Sequence, residues 1–301
     1  MSFERVASIG LGLIGSSIAR AAREALPELR IAGFDADPAV HARASELGLA
    51  DMNQSAAEAV SDAELVILCV PVGAMQEAAA SIAGALPPAA IVSDVGSSKR
   101  TISAALQAAL PGNPVIPAHP VAGTEHSGPD AGFAALFHHR WSILTPPEGS
   151  DPALVAGLAE FWRALGATVE VMDAEHHDLV LAVTSHIPHL IAYTIVGTAS
   201  DLEDVTRGEV IKYSAGGFRD FTRIAASDPT MWRDVFLNNR DAVLEMLDRF
   251  LTDLAHVREA IRAGDGESMF DLFTRTRAIR RSIIELGQDD ARPDFGRADH
   301  D

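Results

Sequence analysis

Cysteine is nearly absent. Cys69 is the single one among 301 residues, which excludes a disulfide framework and a zinc site built on thiolates. A reducing compartment is the simplest setting. Positive charge is also scarce: 24 Lys and Arg face 42 Asp and Glu, for a formal charge of −18. Such a balance excludes a generally basic nucleic-acid binder and disfavours an anionic membrane surface. Long apolar runs are missing as well. The nearest to a membrane span of ~18 residues is Leu179–Ala199, and Ser185, His186, Pro188 and His189 interrupt it. Val6–Ile14 behind Arg5 imitates a secretory leader, but Glu4 spoils its basic end and three glycines break it. The expectation is a cytoplasmic protein with no membrane and no nucleic-acid partner.

What is present is ordinary globular composition, 48% hydrophobic and 22% charged. The first part alternates short β-rich runs with helical stretches. Strands are expected at Arg5–Ile9, Arg30–Asp35, Leu65–Pro71, Ala90–Val95, Val115–Pro117, Trp141–Thr145 and Thr168–Met172. Helices are expected at Gly15–Leu26, Ala39–Leu47, Ala74–Leu86, Thr101–Leu110 and Pro152–Leu165. This βαβα order predicts a Rossmann-type α/β domain, doubly wound on a mostly parallel sheet, over residues 1–172. After Asp173 the pattern turns helical, at Ala174–Ala199, Asp201–Tyr213, Met231–Ala263 and Glu267–Leu286. An all-helical second domain is therefore expected over 173–301. The charge does not distinguish the halves, with 9 basic against 18 acidic residues in the first and 15 against 24 in the second.

Gly10-Leu11-Gly12-Leu13-Ile14-Gly15 is a GxGxxG between a predicted strand and a predicted helix. In that context Gly10 makes the tight turn, Gly12 admits a pyrophosphate and Gly15 lets helix and strand pack closely. Asp35 stands 20 positions beyond Gly15, at the end of the second strand, where an acid binds the ribose hydroxyls of NAD and repels a 2′-phosphate. Ala36, Asp37 and Pro38 follow, with no basic residue, so NAD is preferred to NADP. Leu13 and Ile14 in the turn, and Val70 and Pro71 at the end of the LVILCVP strand, complete the expected cofactor contacts. Cys69, in that apolar strand, reads as core filling rather than as a nucleophile.

Three further segments carry polar residues that periodicity does not require. Asp94-Val95-Gly96-Ser97-Ser98-Lys99 follows a strand, on the edge that faces the ligand crevice of an open α/β sheet; Ser97 or Ser98 could equally cap the helix at Thr101. His119-Pro120-Val121-Ala122-Gly123-Thr124-Glu125-His126 also follows a strand. An imidazole beside a nicotinamide suits proton transfer near neutrality, although His119 alone also reads as a structural histidine. The third segment pairs Ser185-His186-Ile187-Pro188-His189 with Gly216–Arg223. Pro188 inside a helix costs ~3 kcal/mol unless the kink is useful. Arg207, Lys212, Arg219 and Arg223 outnumber Glu209 and Asp220, giving a locally basic stretch suited to a carboxylate. A metal is not expected: His186 and His189 are three apart, His138–His139 and His176–His177 are adjacent pairs, and no HExxH appears.

Together, DVGSSK, HPVAGTEHSG, SHIPH and GGFRDFTRIAASDPTMWRD behind GLGLIG resemble the prephenate/arogenate (cyclohexadienyl) dehydrogenases of tyrosine biosynthesis, from about Val6 to Leu286. The resemblance implies a Rossmann domain followed by a helical domain that dimerises, and a small-molecule substrate, prephenate and/or arogenate. By position it implies that His119 takes the proton of the substrate 4-hydroxyl and that Ser98 lies near that hydroxyl and the nicotinamide. His189, with Ser185, resembles a second substrate-binding group, and Arg223 resembles the arginine that grips a substrate carboxylate. Glu125 and Trp232 match positions near the pocket mouth. Neither a fused chorismate mutase nor an appended regulatory domain is expected. Two other readings are an NAD-dependent β-hydroxyacid dehydrogenase, whose catalytic Lys has no counterpart in 174–199, and a non-catalytic NAD-binding regulator, which retention of His119, Ser98 and Arg223 disfavours. Both expected ligands are anions, so binding must rest on local donors rather than on net charge.

Overall fold

Strands β1 (Arg5–Ile9), β2 (Arg30–Phe34), β3 (Asp51–Met52), β4 (Leu65–Leu68) and β5 (Ile91–Asp94) form one parallel sheet in the order β3-β2-β1-β4-β5. The computed structural model to which they belong describes residues 3–124, 126–201, 209, 212 and 216–285. Helices cover both faces of the sheet: α1 (Leu13–Ala25), α2 (Pro38–Glu46), α3 (Ala56–Val60), α4 (Met75–Ile82) and α5 (Arg100–Ala109). That explains why β4 is apolar at every position. Leu65 and Ile67 enter the core on one side with Ile18, Ile31 and Trp162, while Val66 and Leu68 enter the other with Met75, Ile82 and Leu106. A parallel strand buried on both faces has no polar side to alternate with. The strand order reverses direction between β1 and β4, and such a switch point opens a ligand crevice at the C-terminal edge.

Three more strands make a separate small sheet, β6 (Ala118–Pro120), β7 (Trp141–Leu144) and β8 (Thr168–Val171), in that order. β6 pairs antiparallel to β7, and β7 parallel to β8. The strand expected at Val115–Pro117 is displaced. Pro114 and Pro117 lack N–H donors, so this stretch makes only a bridge at Val115 beside Val92, and the strand forms three residues later. α6 (Pro152–Ala164) packs Leu158, Phe161 and Trp162 into the first core.

The helices beyond residue 173 start with α7 (Ala174–Leu181), capped by Asp173, whose carboxylate accepts the His176 N–H at 2.8 Å. A π-turn over Ala182–His186 joins α7 directly to α8 (Ile187–Ser200). The widened turn, in which the Ile187 N–H reaches the Ala182 carbonyl, accommodates Pro188 without breaking the helix. Taken as one rod, Ala174–Ser200 is long and apolar enough to cross a membrane by length and composition. Ser185, His186, Pro188 and His189 interrupt its apolar residues near the middle. Val183, Ile195 and Val196 on it are exposed. The helix expected at Asp201–Tyr213 lies largely outside the described residues. α9 (Gly216–Thr222), a 3-10 turn at Arg223–Ala226, α10 (Pro229–Asn238), α11 (Arg240–Ala263) and α12 (Gly266–Glu285) follow. The single helix expected over Met231–Ala263 is two, divided at Asn239. The chain forms two compact units, Met1–Met246 and Leu247–Asp301, with the dividing point inside α11. The second unit exposes Leu251, Leu254, Ile261, Phe270, Phe273 and Ile279.

Candidate active site

β1 runs into Gly10, whose φ of +98° is left-handed and whose added Cβ would stand 2.4 Å from the Cys69 carbonyl oxygen. Only glycine fits there. A Cβ on Gly15 would lie 2.1 Å from the Gly10 oxygen, so α1 approaches the turn too closely for any side chain. At Gly12 a Cβ would meet nothing within 4 Å, and no side chain caps the helix that begins there. An open turn with uncapped N–H groups at a helix start is an anion site suited to a pyrophosphate. Leu13 and Ile14 form the first turn of α1. Val70 stands beside Gly10, and the Pro71 carbonyl accepts the Ala74 N–H at 2.9 Å to begin the 3-10 turn Val72–Ala74. Asp35, directly after β2, accepts the Leu11 N–H at 2.7 Å and the Asp37 N–H at 2.9 Å, one through each carboxylate oxygen. Each oxygen keeps acceptor capacity for a ribose hydroxyl. This constellation fits NAD. Burial pushes the Cys69 thiol up to about 12, so it is not a nucleophile near neutrality.

The loop after β5 is tied to β6 through a buried ion pair. Asp94 and Lys99 are both fully buried and bonded to each other. The Lys99 ammonium also donates to the Ala118 carbonyl at 2.8 Å, and Asp94 accepts from the Gly96 N–H at 2.8 Å and the Ala118 N–H at 3.3 Å. Burial lowers the Lys99 pKa, against the raising effect of Asp94. Both partners thereby fix the residue that precedes His119. Ser98, between them in sequence, is fully buried and its hydroxyl has no partner among the described residues. The expected cap of α5 by Ser97 or Ser98 is corrected. The cap is Asp178 of α7, whose two oxygens accept the Lys99 N–H at 2.7 Å and the Arg100 N–H at 2.9 Å. A carboxylate at a helix N-terminus satisfies free donors and the helix dipole at once.

His119 is 7% exposed. Its Nδ1 lies 2.9 Å from Nε2 of His177, whose own Nδ1 lies 2.9 Å from Asp178 Oδ1. Burial holds His119 well below the ordinary histidine range, and His177, Lys99 and His186 push it the same way. Burial likewise lowers His177, opposed by its bond to Asp178. Asn239, at the break between α10 and α11, donates to the Asp178 carbonyl at 2.8 Å and sits 3.1 Å from His186 Nδ1. His186 is fully buried and held down to about 4 by that burial.

On the outer side of His186 stands Trp232, with ring centroids 6.1 Å apart. His189 stacks on the same indole at 3.6 Å and 23°, and its Nδ1 donates to the Ser185 carbonyl at 2.8 Å. Burial lowers the His189 pKa and the Arg223 cation acts in the same direction, so Arg223 stands close to this pair. Arg223 itself is exposed, at the start of its 3-10 turn. The Trp232 indole N–H is buried without a partner among the described residues.

Residues 18–171 match the family described as prephenate dehydrogenase, nucleotide-binding domain, and residues 173–275 the one described as prephenate dehydrogenase, dimerization domain. The chain belongs to the prephenate dehydrogenase family. It is accordingly an NAD-dependent oxidoreductase. It is 44% identical over 282 residues to a cyclohexadienyl dehydrogenase of Zymomonas mobilis, covering 93% of this chain and 96% of that one. A prephenate dehydrogenase of Bacillus subtilis is 34% identical, over 95% of this chain and 77% of that one. The crystal structure of an Aquifex aeolicus prephenate dehydrogenase in complex with hydroxyphenyl propionate and NAD+ is 33% identical. It superposes with a TM-score of 0.88, covering 94% of this chain and 99% of that one.

In this prephenate dehydrogenase family member, the residues singled out from sequence fall into three connected groups. Gly10, Gly12, Gly15, Asp35, Val70 and Pro71 line the β1/β4 edge. Ser98, on the loop after β5, and His119, on β6, are joined by the Asp94–Lys99 pair. Ser185, His189, Trp232 and Arg223 gather on the helical side of the same unit. Glu125 and Arg207 lie outside the described residues. Arg219 pairs with Asp220 at 3.4 Å on the surface. Among the described residues no three His, Cys, Asp or Glu are arranged to hold a metal ion. Sequence reasoning missed His177, Asp178, His186 and Asn239 as parts of one buried network. The available signal was an Asp adjoining a His pair in the first turns of the first helix after the boundary.

Proposed function

We propose that His119 is the general base in the NAD-dependent oxidative decarboxylation of prephenate, arogenate or both, in tyrosine biosynthesis. The observation that carries this reading is a buried histidine, kept neutral at pH 7, on the strand that the Asp94–Lys99 pair ties to the loop of Ser98, a buried serine whose hydroxyl has no partner among the described residues. Bound NAD+ supplies the hydride acceptor for C4. As C4 becomes a ketone, His119 takes the 4-hydroxyl proton, with Ser98 hydrogen-bonded to the same oxygen. The ring carboxylate leaves as CO2, and its bonding pair enters the ring. The phenolate oxygen so formed recovers the proton from His119, so the base is regenerated. Chain groups need only orient C4, exchange one proton and hold the anion. Arg223 and His189 hold a substrate carboxylate, with the Trp232 indole N–H as a further donor.

A homodimer and a cytoplasmic location belong to the same reading, as does a substrate-and-dimer segment from residue 173 onward. The exposed apolar side chains of α11 and α12 support the dimer, and kinship with biosynthetic dehydrogenases supports the location. Absorbance of NADH, followed with prephenate and with arogenate in parallel, tests the reaction. His119→Asn is expected to lower kcat by about 10²–10⁴-fold with little change in KM, the scale of general-base removal. Near-full kcat in that variant overturns the role of His119.

A further inference from the structure

The roles of the two ring nitrogens of His119 follow from a carboxylate two residues away in the hydrogen-bond chain. Asp178 accepts only, so the proton between it and His177 sits on His177 Nδ1. A neutral His177 then offers Nε2 as an acceptor. The proton between the imidazoles must sit on His119 Nδ1, and His119 Nε2 is left bare. We infer that His177 and Asp178 are positioning residues that fix His119 in the tautomer able to accept a proton at Nε2. The inference rests on the reading of His119 as the base.

The geometry supports this at each link. Both bonds are 2.9 Å, and the three side chains are all buried. Asp178 is itself immobilised by the Lys99 and Arg100 N–H groups, while Asn239 holds its carbonyl. The groups facing His119 are His177, Lys99 and His186, and those facing His177 are Asp178, Lys99 and Asp94. The proton gained by His119 during turnover is shared along the chain toward Asp178, the anion that contacts His177. No atom beyond that proton is exchanged.

Three variants separate this arrangement from plain structural support. Asp178→Asn removes the anion, and its amide oxygen still accepts from both the Lys99 N–H and His177 Nδ1, as Oδ1 does, at the loss of the Arg100 N–H bond. His177→Leu removes the acceptor but keeps the Asp178 cap on α5. His177→Gln retains a carbonyl oxygen where Nε2 stands. With prephenate and NAD, His177→Leu is expected to lower kcat about a hundredfold or more, on the scale of wrong-tautomer variants of hydrogen-bonded histidines, with KM for both substrates within about threefold. His177→Gln should recover most of that loss. The acid limb of the Asp178→Asn rate profile should lie at lower pH than that of the wild type, since the anion that favours imidazolium is gone. Nitrogen-15 spectra of ring-labelled full-length protein should show the His119 proton on Nδ1 in the wild type and distributed over both ring nitrogens in His177→Leu. Wild-type kcat in His177→Leu, with His119→Asn inactive, overturns the inference and leaves His119 as base. An active His119→Asn overturns both.

Discussion

The Asp35 carboxylate accepts the Leu11 N–H through one oxygen and the Asp37 N–H through the other. It therefore shapes the glycine turn before any cofactor arrives, and it offers its remaining lone pairs to a ribose. Those two tasks make asparagine a poor substitute. An amide has one acceptor oxygen, so Asp35→Asn must give up either the Leu11 or the Asp37 bond, and it no longer repels a 2′-phosphate. With a hydrogen bond to a charged group worth ~1.5–3 kcal/mol, kcat/KM with NAD should fall about ten- to a hundredfold. The ratio of kcat/KM for NADP to that for NAD should rise. Steady-state rates with both cofactors measure it, and an unchanged ratio would show that Asp35 does not choose between them. Residue chemistry of this kind was legible in the sequence, because GLGLIG and Asp35 lie close along the chain. His177 and Asp178 were not. Their partners are 58 and 79 residues away, and in sequence they resemble an ordinary solvated helix start.

At the level of elements, α10 is pressed against the edge of the sheet at the Val72–Ala74 turn. A Cβ on Gly73 would stand 2.5 Å from Asp234 Oδ2, and Asp234 is buried and paired with Arg233. Gly73→Ala must displace the Asp234 carboxylate, on the helix that carries Trp232, and with it the ion pair to Arg233. Overpacking of this kind costs ~1–3 kcal/mol. The denaturant midpoint should fall accordingly, and KM for the substrate should rise more than kcat drops. An unchanged midpoint would mean that α10 yields freely. The long periodic helices and the strongly apolar β4 were readable because their burial repeats. β3 and α3, of two and five residues, are too short to show a period. Pro188 announced a disturbance in its helix, but only the fold resolves it as a π-turn. Asn239 divides the helix expected over Met231–Ala263 for a reason invisible locally: its amide is committed to Asp178 and His186.

Across the whole molecule, two kinds of charge compete as pH falls. The net charge of −18 repels itself, and partial neutralisation favours the compact state. Against it stand His119, His177, His186 and His189, each with its pKa lowered on folding, His186 to about 4. In the unfolded chain these imidazoles protonate near the ordinary value of ~6.5, while in the fold they stay neutral to lower pH. The unfolded state thus binds more protons in this interval. Stability is fully present above pH ~6.5 and is lost as pH drops from there toward the folded values, at ~1.4 kcal/mol per pH unit for each group so affected. Carboxylates with ordinary values near 4 hardly titrate above pH 5.5, so relief of self-repulsion is small over the same range and the histidines prevail. Tm should therefore decrease steadily between pH 7 and 5.5. Unfolding enthalpies measured at pH 6 in buffers of different ionisation heat should reveal net proton uptake of more than one per molecule. A Tm that stays level or rises over that interval would mean that the acidic envelope, and not the buried histidine network, sets the pH response.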